Sequence, residues 1–232
     1  MKIAHPDFHF VMDISENKFP VLVLEQSGLF YRIVSQMAAQ ADGIPGPFVI
    51  SENWEHLEFE KAALVITDLF HLDLNGRKQM TALAKRLSVL ANSEHHIQAT
   101  LALQEHILQW AFELEDDLPY ITIHNETLDM GSIIKTVGIK FDDSMKELPD
   151  RLNSFIKICA GYLNIRIIII VGLHSCLEES ELNEIYKTAM YEKVSIVDVE
   201  RCFPDNRLPC EEYYIIDRDN CEIYNDSTDD IL

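Results

Sequence analysis

The sequence predicts an α/β head interrupted by an α-helical insertion, and three observations carry that reading. First, Ile167-Ile168-Ile169-Ile170-Val171 is an unbroken run of β-branched apolar residues, stopped by Gly172. Without alternation, neither face of this segment can meet water, so it reads as a short strand covered on both sides. Second, similar runs at Pro20–Glu25, Ala62–Thr67 and Ser195–Val199 alternate with helical periodicity towards both ends of the chain. Third, the middle of the chain carries mainly helical stripes. The expected division is a head made of residues 1–68 and 139–232, with a helical leg at 69–138.

The elements follow in order. Phe8–Val11 is a weak strand candidate, and Pro20–Glu25 is a stronger one. Phe30, Ile33, Val34 and Met37 then share a helical face, with Ser27 a candidate N-cap and Gly43 a stop. Ile44-Pro45-Gly46-Pro47 is a turn. Phe48–Ile50 and Ala62–Thr67 are further strands. Met80, Leu83, Ala84, Leu87 and Leu90 form one helical stripe. Ser93 is positioned to cap a longer helix bearing two stripes, Ile97/Leu101/Leu108/Phe112 and Leu103/Ile107/Trp110/Leu114. A helix apolar on two faces is either buried in its own domain or covered by a partner.

Beyond it come an acidic loop at Glu113–Asp117 and a short strand candidate at Ile121–Ile123. A helix capped by Thr127 follows, with Met130, Ile133, Ile134 and Val137 inward and Gly138 ending it. Ser144-Met145-Lys146-Glu147 matches a capping box ahead of the face Leu152/Phe155/Ile156/Cys159/Leu163. After the Ile167–Val171 strand, Leu182, Ile185, Tyr186 and Ala189 mark another helix. Tyr213–Ile216 and Cys221–Tyr224 read as a closing hairpin, and the tail from Asn225 as frayed.

Composition sets limits on function. The chain has 232 residues, 47% hydrophobic and 25% charged, which suits one soluble domain with or without an inserted subdomain. No apolar run suffices for a membrane span, and no signal peptide is expected. Five cysteines without a C-x-x-C pair suit reduced thiols in a cytoplasm.

The net charge of −20 argues globally against nucleic acid as a partner, but the charge is segregated. Leu74–Ser93 holds no acid and the four bases Arg77, Lys78, Lys85 and Arg86, whereas Leu87–Ile134 holds no base and eight acids. Screening at physiological salt acts over about 8 Å, so a local basic patch can work despite a distant acidic surface.

Motifs for catalysis are scarce. A phosphate loop belongs after the first strand as G-x-x-x-x-G-K-[ST]. Here Glu25-Gln26-Ser27-Gly28-Leu29-Phe30 offers one glycine, no lysine and an acid. Asp68 is placed either as a magnesium carboxylate or as a turn residue. Ser175 and Cys176 follow a strand end without a G-x-S-x-G setting, which favours a cap and a buried thiol. The nine histidines show no H-E-x-x-H and no Cys/His metal spacing, and read as solvated positions. Asp73–Gly76 and Asp217–Asp219 are fragments of a calcium loop that neither completes. Two constellations remain. The acidic cluster Glu113, Glu115, Asp116 and Asp117, with Glu126, is either an oxygen-rich site for a hard cation or a solvated loop. The basic helix is either an anion surface or a solubilising one.

Several of these stretches, in order, resemble one family. They are Val21–Glu25 leading into Leu29–Val34, Leu64–Leu69, Ile134–Lys140, Ile167–Val171, Ser195–Glu200 and Glu212–Ile216. Together they resemble the small CRISPR-associated adaptation proteins specific to type II-A systems. The resemblance implies a P-loop-NTPase-like head lacking the phosphate loop, with an inserted α-helical leg. It also implies a homotetrameric ring that binds the ends of linear double-stranded DNA in a positively lined hole. Calcium, held by acidic residues, would keep the ring in its working form. The protein would assist spacer acquisition beside integrase proteins and an effector nuclease, without catalysis of its own. On this resemblance Lys135 and Lys140 match family lysines and join Arg77, Lys78, Lys85 and Arg86 as DNA-binding candidates. Glu113, Glu115, Asp116, Asp117 and Glu126 fall in the family's acidic region as calcium candidates.

Overall fold

The structure is a computed structural model describing residues 1–15, 17–125 and 127–224. Glu126 and the tail from Asn225 therefore lie outside the described residues. In chain order the elements are β1 (Lys2–Ala4), β2 (Met12–Asp13), β3 (Phe19–Leu24), α1 (Ser27–Ala41), β4 (Val49–Glu52), β5 (Glu55–Leu57), α2 (Phe59–Ala62) and β6 (Ala63–Ile66). Then come α3 (Arg77–Ala91), α4 (Ile97–Asp116), α5 (Met130–Val137) and α6 (Leu148–Ile158), which a π-turn extends over Cys159–Leu163. β7 (Ile167–Val171), α7 (Glu179–Glu192), β8 (Ser195–Glu200), β9 (Glu211–Ile216) and β10 (Glu222–Tyr224) complete the chain. Among the described residues no helix is long and apolar enough to cross a membrane.

The fold is mixed α/β. Contacts gather it into two compact units, Met1–Leu74 with the chain from Asp143 on, and Asn75–Asp142. The first unit is built on a six-stranded sheet of order β10-β9-β3-β8-β7-β6. All its neighbours run parallel except the antiparallel edge pair β9/β10. Ile167, Ile168, Ile169 and Ile170 are each fully buried between β6 and β8. Burying each such side chain contributes about 1.5–3 kcal/mol, so β7 is a principal source of the unit's stability.

Alternation along each strand feeds two cores. Leu22, Leu24, Ile167, Ile169, Val197 and Val199 face Leu29, Ile33 and Met37 of α1 and a second, antiparallel sheet of order β2-β1-β4-β5. The opposite face, with Ile168, Ile170 and Ile196, lies on the side of α6 and α7, which pack on each other.

Some expectations need correction. Phe8–Val11 is not a strand: Phe8 and Phe10 stack at 5.0 Å and reach Phe48 and Tyr214, filling the core without pairing their backbone. Ile121–Ile123 is irregular and its isoleucines are fully exposed, since no neighbouring strand pairs with it. The helix caps also differ. Gln26, not Ser27, accepts from Leu29 N (3.1 Å), and Asp129, not Thr127, accepts from Gly131 and Ser132 N. At α4 it is the backbone carbonyl of Ser93 that accepts from His96 and Ile97, while its hydroxyl donates back to Leu90 O. Ser144 is not the cap of α6, which begins at Leu148 with Glu147 at its N-cap and a proline in its first turn.

In the second unit, α3 packs on α5. Gly138, at φ 74°, ends α5 in the left-handed region that favours glycine. The Asn75 side chain clasps both backbone groups of Phe141 (2.9 and 3.1 Å), so the two ends of the unit are tied together.

Candidate functional site

The six basic candidates sit on two helices and the turn after the second. Arg77, Lys78, Lys85 and Arg86 all project from α3, and Lys135 and Lys140 lie on α5 and just past it; all six are exposed. On α3 the bases occupy one arc and Met80, Leu83 and Leu87 the other, as the helical repeat requires. Arg77, Lys135 and Lys140 meet at the rim of an apolar groove of about 420 Å³ floored by Met80, Leu83, Leu87 and Ile134. Lys78, Lys85 and Arg86 are not part of that groove.

α4 has an unusual interior face. The residues that turn inward are Thr100, which is buried, and Ile97, Gln104, Ile107, Leu108, Ala111 and Glu115, which are half-buried. Thr100 Oγ1 donates to Ala91 O (2.7 Å), Gln104 Nε2 to Leu128 O (3.1 Å), and Glu115 pairs with His124 Nδ1 (3.1 Å). The other members of the two apolar stripes lie to either side of this inward face. Leu101, Leu103, Trp110, Phe112 and Leu114 are consequently each between 44% and 59% exposed. A single chain therefore leaves a large apolar surface uncovered.

The acidic candidates do not form a loop. α4 continues through Asp116, and Glu113 receives a long hydrogen bond from Gln109 (3.4 Å). Glu115 turns away to His124, leaving Glu113, Asp116 and Asp117 exposed together at the helix end. Their donors are carboxylate oxygens only, which suits calcium, but three carboxylates bound through one oxygen each supply only three of the six to eight oxygens it takes. Among the described residues they do not converge on one point.

Asp68 is a turn residue. Its Oδ1 accepts from Phe70 N and His71 N, and its Oδ2 pairs with His71 Nδ1 (2.6 Å). The connection from β3 to α1 is two residues, Glu25 and Gln26, which is too short to wrap a phosphate chain.

A second centre was not anticipated. His174, in the turn after β7, folds back over Asp198 and Glu200 of β8, and all three are buried. His174 Nδ1 lies 2.5 Å from Asp198 Oδ2. Its backbone N–H donates to Glu200 Oε1 (2.8 Å), and Ser175 Oγ donates to Glu200 Oε2 (3.2 Å). The far ring nitrogen, Nε2, is 2.9 Å from Glu211 Oε1, a close ion pair with poor hydrogen-bond direction.

Burial alone would lower the His174 pKa, but Asp198 and Glu211 more than offset that and push it up to about 10. Burial and the Asp198 charge push Glu200 up to about 7. His174, Asp198 and Glu200 can together hold a metal ion, since one ligand atom from each lies within 4.8 Å of the others. The sequence carried one signal of this centre: two acids, Asp198 and Glu200, on one face of a strand whose intervening residues are wholly apolar.

A family model described as CRISPR-associated protein (Cas_Csn2) matches residues 40–220, most of the chain. No curated protein matches it.

Proposed function

The chain belongs to the CRISPR-associated Csn2 family, which implies a role in CRISPR adaptation, and from that premise we propose that it is a non-catalytic DNA-end-binding ring. Four copies would associate through α4. The observation that carries this reading is the set of exposed apolar residues on α4, Leu101, Leu103, Trp110, Phe112 and Leu114, on either side of its inward face. Water is a poor final partner for that surface, and a second copy of the same helix is a good one. Closed symmetry multiplies every base by the copy number. The α3 bases Arg77, Lys78, Lys85 and Arg86, with Lys135 and Lys140, would then line a lumen that holds a duplex without reading bases. An acidic exterior keeps such a ring soluble.

Calcium fits the acidic end of α4 by donor chemistry. Glu113, Asp116 and Asp117 would supply carboxylate oxygens, with Glu115 and Glu126 the remaining candidates and water filling out the shell. The ion would relieve their mutual repulsion and fix that end of the helix. We read the unit Asn75–Asp142 as the helical leg and the sheet-bearing unit as a P-loop-NTPase-like head that has lost nucleotide chemistry. The two-residue β3–α1 connection supports the loss. Integrase proteins and the effector nuclease are the expected partners, in the cytoplasm.

A gel-shift series tests the proposal. Linear duplex should be bound in calcium, and covalently closed circular duplex of the same sequence should not. Equal binding to both forms, or to neither, overturns it.

A further inference from the structure

The buried centre on the head sheet has no place in the ring mechanism, yet it is costly to build. Asp198, Glu200 and Glu211 bring three carboxylates into a site where their side chains and that of His174 are at most 6% exposed. Against three negative charges stands one imidazolium, a net of −2 when all are ionised. Among the described residues no lysine or arginine is paired with them. Excess buried charge of one sign is strongly destabilising unless something compensates it.

We propose that His174, Asp198 and Glu200 bind one zinc-class divalent ion, which closes the turn after β7 onto β8. Three features admit the ion. The first is charge. A divalent ion beside a neutral histidine leaves −3 + 2 = −1, a smaller excess than the −2 of the fully ionised cluster and the same as one further proton on Glu200 would leave.

The second is spacing. Ligands about 2.0–2.2 Å from a tetrahedral ion lie about 3.4 Å apart. His174 Nδ1 stands 2.5 Å from Asp198 Oδ2 and 3.9 Å from Glu200 Oε1, on either side of that separation. Shifts of about 1 Å would make room for the ion where the bridging proton now sits.

The third is the surrounding shell. A metal-bound histidine characteristically gives its other ring N–H to a carboxylate, which sets the tautomer. Glu211 Oε1 stands 2.9 Å from Nε2, near that position but out of line with the ring N–H, so a small turn of the imidazole is needed to complete the bond. Glu211 is itself held by Tyr213 OH (2.5 Å), Tyr186 OH (3.0 Å) and Leu208 N (2.9 Å). Asp198 and Glu200 are likewise steered by the backbone N–H groups of Leu173 and His174.

The ligand set selects the ion. One imidazole nitrogen with carboxylate oxygens suits zinc, manganese or cobalt, whereas calcium takes six to eight oxygens. The centre is thus distinct in residues and in chemistry from the calcium candidates on α4. His174, Asp198 and Glu200 fill three of the four tetrahedral positions and water takes the fourth; burial keeps a substrate from that position, so the ion's role is structural. Binding would release the proton on His174 Nδ1 to solvent.

Cobalt titration of the full chain, stripped by chelator and desalted, tests this. One equivalent should give the visible absorption of a tetrahedral nitrogen/oxygen site, without thiolate charge transfer. Stoichiometric zinc should abolish it, and a thousandfold excess of calcium should not. Zinc should also raise Tm of the wild-type chain. Glu200→Gln and His174→Gln, checked for native circular dichroism, should each lose the signal at least tenfold. No cobalt signal in folded wild-type protein overturns the proposal. So does a thiolate band, or a signal undiminished in folded Glu200→Gln.

Discussion

His174 Nδ1 and Asp198 Oδ2 are 24 residues apart in the chain and 2.5 Å apart in the fold. The parallel register that sets Ile170 against Asp198 brings them together: the chain leaves β7 one residue past that pair and folds back over β8. In metal-free protein the cluster is a proton site with a definite sign. The His174 pKa is raised to about 10 from 6.5, and that of Glu200 to about 7 from 4.5. A raised folded value contributes stability that is complete below the ordinary value and is lost as pH climbs through the folded one.

Asp198 is raised in the same sense by burial, while for Glu211 burial is outweighed by His174, Tyr213 and the Leu208 N–H, so it is lowered and acts only in the acid range. Tyr186, Tyr213 and Cys176, which also face the cluster, are raised and stay neutral there. With chelator present, Tm should therefore fall between about pH 6 and pH 9, and His174→Gln should flatten the decline. One pKa unit corresponds to about 1.4 kcal/mol, enough to move Tm by several degrees. Calorimetry across the range measures it, and a flat or rising Tm would contradict the assignment.

β7 should be the least tolerant segment of the head. Ile169→Val removes one methylene and should cost about 0.5–1.5 kcal/mol by urea unfolding. Ile169→Asp places a charge between α1 and the sheet and should prevent folding, read as loss of soluble protein.

The α3 bases should report on DNA through salt dependence. Lys78→Glu with Lys85→Glu should weaken binding to a linear duplex about tenfold or more. The slope of log K against log salt should become shallower by about 0.9 for every phosphate that is no longer neutralised. Fluorescence anisotropy at three salt concentrations decides it; an unchanged slope would place these lysines away from the DNA.

Thiol reactivity should separate the five cysteines. Burial pushes Cys159 up to about 12, so it should resist alkylation in native protein. Cys202 and Cys221 are exposed and should react first, with part-buried Cys176 and Cys210 slower. Timed iodoacetamide labelling and peptide mapping test the order.

Legibility in the sequence followed locality. Runs such as Ile167–Val171 and Ala62–Thr67 declare themselves because burial on both faces removes alternation. The stripes of α3 and α4 are equally local. The strands β1 and β2 are too short to carry a pattern, and Phe8–Val11 imitated one with residues that serve the core. Caps were misplaced because serine, glutamine and aspartate side chains compete for the same donors, and the winner depends on where the preceding strand ends. The acidic end of α4 read as a loop by charge, yet Glu113, Leu114 and Glu115 are good helix formers and the helix ran on. His174 was invisible because its partners lie on two other strands; only the acids inside β8 hinted at it.

The apolar stripes of α4 bear most directly on the account. Light scattering should give a four-subunit mass in calcium that falls on chelation, and Leu103→Glu with Trp110→Glu should give a folded monomer in either condition. A wild-type chain that stays monomeric with calcium, or a double variant that still assembles, would contradict the ring.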